Sequence, residues 1–230
     1  MNFSIENLNV FRANHHVLKD IHFTFSSALT FILGNNGSGK STLLSALQGL
    51  IPYKGIINLD HKDLKSYDRK VLAQYISWVP QLVPPSQSLS VSDYVLLGRF
   101  PYLTWMGNFT KDDHEEVEKA LAQFEMSKFA SRSIKSLSGG EWRAVAQSTP
   151  ILLLDEPTQS MDPLNRIQFY RLLNELTHQG KKVICTTHHL EALQAHEGAI
   201  LGLASGKMVY EGMTGEDDPA QLLNKIYRAE

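Results

Sequence analysis

One short run constrains this chain more than anything else in it: Gly34-Asn35-Asn36-Gly37-Ser38-Gly39-Lys40-Ser41-Thr42. It has the form G-x-x-x-x-G-K-[ST]. It lies between an apolar run, Leu29 to Leu33, and a helix-prone segment, Ser41 to Leu50, which is the strand–loop–helix context the pattern requires. The glycines let the backbone wrap closely around phosphate oxygens with N–H groups turned inward, and the helix N-terminus adds a favourable dipole. Lys40 is expected to reach the β- and γ-phosphates of a nucleotide, and Ser41 to ligate Mg²⁺. The plain alternative, a glycine-rich turn that merely opens a helix, is disfavoured by the complete pattern in its complete context.

A phosphate loop also needs a carboxylate at the end of a neighbouring strand. Ile151-Leu152-Leu153-Leu154-Asp155-Glu156 supplies two. Asp155 is expected to hold Mg²⁺ through water, and Glu156 to polarise the attacking water. Alone, two acids after an apolar run read as a solvated strand end. Lys182 to Thr186 is a further short apolar strand, and continuous runs of this kind suit a parallel sheet buried on both faces. The first thirty residues differ: short apolar runs, Phe3 to Leu8 and Ile21 to Phe25, flank the patch Arg12 to His16 and read as an antiparallel hairpin. Helices are expected from Thr110, with a capping box and a Val117, Ala120, Leu121, Phe124 stripe, and from Asp162-Pro163, with Phe169, Leu172, Leu173 and Leu176 on one stripe and Gly180 as the stop. Pro80 to Ser90, with three prolines, reads as a connection into a helical insert running to about Ser136.

Between the two motifs stands Leu137-Ser138-Gly139-Gly140-Glu141, and with it the chain resembles an ATP-binding cassette (ABC) ATPase, a family set apart by an LSGGQ-type signature. The resemblance implies an α/β fold: a phosphate-loop NTPase core of ABC type with an antiparallel β subdomain and a helical insert. One domain over 1–230 is expected, with 1–80 and 150–230 forming the ATP-binding core and β subdomain, and 81–149 the helical and signature part. It also implies ATP and Mg²⁺ as ligands. The signature would close on nucleotide held by the opposite subunit of a homodimer. Carried over residue by residue, Gln81 takes the place of the family's Q-loop glutamine at the metal. Asp162 takes the D-loop place, facing the other subunit, and is equally an N-cap. His188 takes the place of the switch histidine at the γ-phosphate. His189 stands where aspartate is usual. The adenine platform falls on Phe11 or, by spacing, on Arg12, whose guanidinium plane can also stack on a base.

One departure is conspicuous. Glu141-Trp142-Arg143 runs directly into Ala144-Val145-Ala146-Gln147-Ser148-Thr149-Pro150, which resembles the far end of the family's signature helix. Compared with the family's usual spacing, about six residues are missing, which implies a loss of roughly 9 Å of helix and two-thirds of a turn of rotation. Hydrolysis is therefore expected to suffer more than binding.

The run Val91-Ser92-Asp93-Tyr94-Val95-Leu96-Leu97-Gly98-Arg99-Phe100-Pro101-Tyr102 is similar to a segment in ATPases of iron-siderophore, haem and cobalamin importers. That implies a separate membrane permease as partner and, indirectly, an extracytoplasmic substrate-binding protein. The alternatives are a metal-ion importer or another ABC transporter, a hydrolysis-impaired cassette, and a soluble ABC protein of repair or translation, which the single compact cassette does not fit. Composition agrees with the importer reading. With 22 Lys and Arg against 24 Asp and Glu, the net charge of -2 argues against a nucleic-acid partner. No run approaches a membrane span, and Met1 to Glu6 lacks the character of a secretory signal, so a place on the cytoplasmic face of the membrane, through the permease, is expected. The lone Cys185 can form no internal disulfide and reads as a buried strand residue.

Overall fold

The computed structural model describes residues 1–81, 89–103, 107–123, 126–133, 149–159, 161–188, 190, 193 and 196–228. The signature Leu137 to Glu141, the shortened segment around Arg143-Ala144, Phe124 and His189 lie outside the described residues.

The expected hairpin forms and is longer than its apolar runs. Strands β1 (Phe3–Arg12) and β2 (His15–Thr24) pair antiparallel, and the turn shrinks to Ala13-Asn14, with Ala13 at φ 49°. The polar patch belongs largely to the strands because backbone pairing continues past the last buried side chain. The hairpin joins β4 (Lys54–Leu59) and β5 (Lys62–Asp63) in a four-stranded antiparallel sheet of order β2-β1-β4-β5.

The second sheet has six strands. β3 (Leu29–Leu33), β6 (Ile76–Val79), β7 (Ile151–Asp155), β8 (Lys182–Thr186) and β9 (Ala199–Ala204) run parallel, with β10 (Lys207–Met213) antiparallel at one edge, in the order β10-β9-β3-β8-β7-β6. Every residue of β3, β7 and β8 is buried, as continuous apolar runs require. Alternate side chains feed two cores. Ile151 and Leu153 of β7 point into a cluster with α1 (Lys40–Leu47) and the antiparallel sheet. Leu152 and Leu154 point into a second cluster with α5 (Pro163–His178) and α6 (Pro219–Tyr227). The β9–β10 pair is not among the strands expected from the sequence, although β9 is a continuous apolar run of the same kind as β3; β10 alternates only weakly in burial. Gly202 in β9 exists for α6: a Cβ there would sit 2.8 Å from the Ile226 side chain.

Short helices follow their caps. The Asp162 carboxylate accepts from Asn165 N at 3.0 Å at the head of α5, with Pro163 in the first turn. Between β4 and β6, α2 (Arg69–Tyr75) is capped by Asp68. In the insert, α3 (Val91–Leu97) has a full Ser90/Asp93 capping box, and α4 (Lys111–Gln123) has a reciprocal Thr110/Asp113 pair.

Candidate nucleotide site

The loop from β3 into α1 needs its glycines. Gly39 adopts φ 109°, and a Cβ at Gly34 would meet Leu203 O at 2.3 Å and Ser38 Oγ at 2.5 Å. Lys40, the first residue of α1, is only 5% exposed. Its Nζ donates to Gly34 O at 2.8 Å and Asn35 O at 3.2 Å, curling the lysine back over the loop. Asn35 Nδ2 donates to Tyr227 O, tying the loop to the end of α6.

Four strand ends converge here. Lys40 follows β3, Gln81 follows β6, Glu156 follows β7 and His188 follows β8. Lys40 Nζ lies 3.4 Å from Glu156 Oε1, and His188 Nδ1 lies 3.4 Å from Glu156 Oε2. Gln81 Nε2 donates to Glu156 Oε2 at 3.4 Å. Glu156 is 8% exposed and sits at φ 46°, a left-handed conformation that costs a non-glycine residue about 1 kcal/mol or more. Thr186 on β8 secures both acids, since Glu156 N donates to its Oγ1 at 2.8 Å while that hydroxyl donates to Asp155 Oδ1 at 2.8 Å. Burial and the neighbouring Asp155 and Glu156 push the Cys185 thiol well above its ordinary range, in keeping with an inert packing role.

A polar cavity of about 460 Å³ opens over the loop, lined by Asn36, Gly37, Gly39, Lys40, Ser41, Thr42, Gln81 and Glu156. Val17 and Gln159 complete its wall. No sequence signal marked Val17, which comes in from β2. Gln159 stood in plain view three residues beyond Glu156, without a motif position that named it.

A nucleotide phosphate fits this cradle. The Lys40 ammonium faces a carboxylate and two carbonyls, the Ser38 hydroxyl is buried without a partner, and a Cβ at Gly37 would meet nothing within 4 Å. The Ser41 hydroxyl, the Gln81 amide oxygen and the Asp155 carboxylate are hard oxygen donors of the type Mg²⁺ prefers. Phe11 is not in the cavity wall. Its ring is half-exposed and stacks on His16, centroids 4.2 Å apart, with Lys54 Nζ 5.4 Å from the ring centre. Asp162 is exposed at the head of α5, and the Asn165 backbone N–H holds its carboxyl below the ordinary range.

A parallel sheet with a phosphate loop and acidic strand ends at its carboxyl edge defines a nucleotide-binding P-loop protein. The family model described as ABC transporter matches residues 18–159, and the chain belongs to that family as an ATP-binding cassette ATPase. A shorter model, an AAA domain described as putative AbiEii toxin of a type IV toxin–antitoxin system, matches 139–194. The chain is 34% identical over 210 residues to the petrobactin import ATP-binding protein FpuD of Bacillus anthracis, covering 88% of this chain and 77% of that protein. It is 32% identical over 233 residues to the manganese transport system ATP-binding protein MntB of Halalkalibacterium halodurans, covering 97% and 91%. Among solved structures, it is similar to an inward-facing ABC transporter assigned to the metal-chelate type, with a TM-score of 0.82, 26% identity, and 97% and 88% coverage.

Proposed function

We propose that this chain hydrolyses ATP to power import of an iron-siderophore, haem or cobalamin-like chelate through a separate membrane permease. The observation that carries the reading is the convergence of Lys40, Gln81, Glu156 and His188 on one polar cavity over a phosphate loop. The whole chain acts as one cassette, with 81–149 as its helical and signature part.

The residues divide the work. Backbone N–H groups of 34–42 and the Lys40 ammonium bind the phosphates of ATP, at the expense of the contacts Lys40 now makes with Gly34 O, Asn35 O and Glu156. Ser41, Gln81 and, through water, Asp155 would hold Mg²⁺, which would offset charge on the phosphates. Glu156 accepts the proton of the attacking water as its oxygen bonds to the γ-phosphorus. The bond to the bridging oxygen breaks, and ADP leaves with that electron pair. His188, already paired with Glu156, orients the water. The sheet brings these groups together although Gln81 and Glu156, for example, lie 75 residues apart in the chain.

Two copies close head to tail, with the Asp162 turn and the signature serving the opposite site. The dimer docks on permease subunits at the cytoplasmic face of the membrane, and a substrate-binding protein delivers cargo from the far side. Among the described residues no helix is long and apolar enough to cross a membrane, so the spans belong to the partner in this reading. The relation to FpuD and the metal-chelate-type structure supports the chelate class, and the relation to MntB supports a metal-ion importer as the alternative.

Glu156→Gln tests the motor. Turnover is expected to fall by about 10² or more with ATP still bound. Equal turnover in variant and wild type would overturn the assignment of the base.

A further inference from the structure

The nucleotide chemistry proposed above leaves Gln159 without a role, yet it makes a short side-chain contact in the site. Gln81 Nε2 donates to Gln159 Oε1 at 2.7 Å and, at 3.4 Å, to Glu156 Oε2. Gln159 is itself tied to the catalytic turn, its backbone N–H donating to Glu156 O at 3.2 Å. The turn after β7 therefore reaches across to the end of β6 and grips an amide 78 residues earlier in the chain.

The polarity of the grip matters. A primary amide has two N–H donors and one carbonyl acceptor. Gln159 and Glu156 both offer acceptor oxygens, so both attract the nitrogen of Gln81 and leave its oxygen as the group turned to a cation. Turning Gln81 around would set its carbonyl against the Glu156 carboxylate, which only accepts, while the Gln159 amide carries both a donor and an acceptor. We infer that Gln159 is a positioning residue, which acts through Gln81 by holding that amide beside Glu156 with its oxygen turned to Mg²⁺ in the nucleotide site. Both glutamines are exposed side chains, so without the contact Gln81 would keep only its longer hydrogen bond to Glu156, at 3.4 Å. This inference rests on the nucleotide-site reading above.

The test uses the full chain with the non-hydrolysable ATP analogue adenylyl-imidodiphosphate. The half-saturating Mg²⁺ concentration is read from thermal stabilisation of the complex, and analogue affinity in EDTA is read by calorimetry. Gln159→Leu, close in size without hydrogen-bonding atoms, is expected to raise half-saturating Mg²⁺ by about tenfold, with a much smaller change in affinity in EDTA. In a Gln81→Ala background the same substitution should add no further loss, because its effect passes through Gln81. A merely structural residue would add its loss in both backgrounds. Wild-type Mg²⁺ dependence in Gln159→Leu, or an equal added loss in the Gln81→Ala background, overturns the inference alone. A wild-type chain that binds no analogue overturns the nucleotide-site reading and this inference with it.

Discussion

The core and the helical insert are held together by different physics. Around the six-stranded sheet, two apolar clusters bury both faces, and strands such as β7 contribute side chains to each. Among its described residues the insert has one small cluster, built on Val91, Val95, Leu96, Val117, Ala120, Leu121 and Met126. It relies instead on caps and charge. Asp113 accepts from Thr110 N at 3.0 Å and Thr110 Oγ1 at 2.9 Å, and from Arg99 Nε at 2.9 Å, while the Arg99 guanidinium lies 4.2 Å from the centre of the Tyr102 ring. Gln74 on α2 donates to Pro101 O at 3.0 Å, and Lys70 to Leu103 O, so a few polar contacts strap the insert to the core. A core buried on both faces of the sheet keeps the four strand ends in register, while the described part of the insert meets α2 through those polar contacts.

The largest effect should fall on the core. Leu153→Ala, at a fully buried position, is expected to cost about 2–5 kcal/mol of global stability in denaturant unfolding. A loss below 1 kcal/mol would show that the clusters do not dominate.

The insert should yield less, and with a different signature. Asp113→Asn is expected to cost about 1–3 kcal/mol, because it weakens hydrogen bonds to a charged group. Its carboxyl is held below the ordinary range, first by the Thr110 N–H and then by the Arg99 guanidinium. A depressed folded pKa means the contribution is complete above the unfolded value near 4 and fades as pH falls through the folded value. Wild type and Asp113→Asn should therefore differ at pH 7 and converge in acid. A pH-independent gap would remove charge from the account.

The smallest stability effect is expected from restoring six residues after Arg143. Downstream of Arg143-Ala144, Thr149 is anchored to Ser77 at 2.6 Å and Pro150 O accepts from Lys182 N at 2.9 Å, which keeps β7 in register with β6 and β8. ATP affinity should be unchanged and turnover should rise. Equal turnover before and after the insertion would sink the idea that the shortening hampers hydrolysis.

Much of this was legible in the chain. The phosphate loop, the β7 acids, the Asp162-Pro163 helix start and the buried Cys185 all follow from local patterns that the fold respects. Phe11 shows the limit: its type suits an adenine platform, and only the structure shows its ring stacked on His16 across the strand pair, outside the wall of the cavity over the phosphate loop. Gln159 shows the same limit from the other side, since its importance comes from a contact with a residue 78 positions away.

The sequence by itself determined the local chemistry: where the backbone can cradle a phosphate, which strands are buried on both faces, and which acids end a strand. Glycine geometry, side-chain period and capping act over a few residues, so they can be read from a few residues. Only the tertiary structure decided that Lys40, Gln81, Glu156 and His188 meet, because the order β3-β8-β7-β6 brings four carboxyl ends together on one edge of the sheet. That order is a solution to burying two faces at once, a property of the whole core that no single segment encodes.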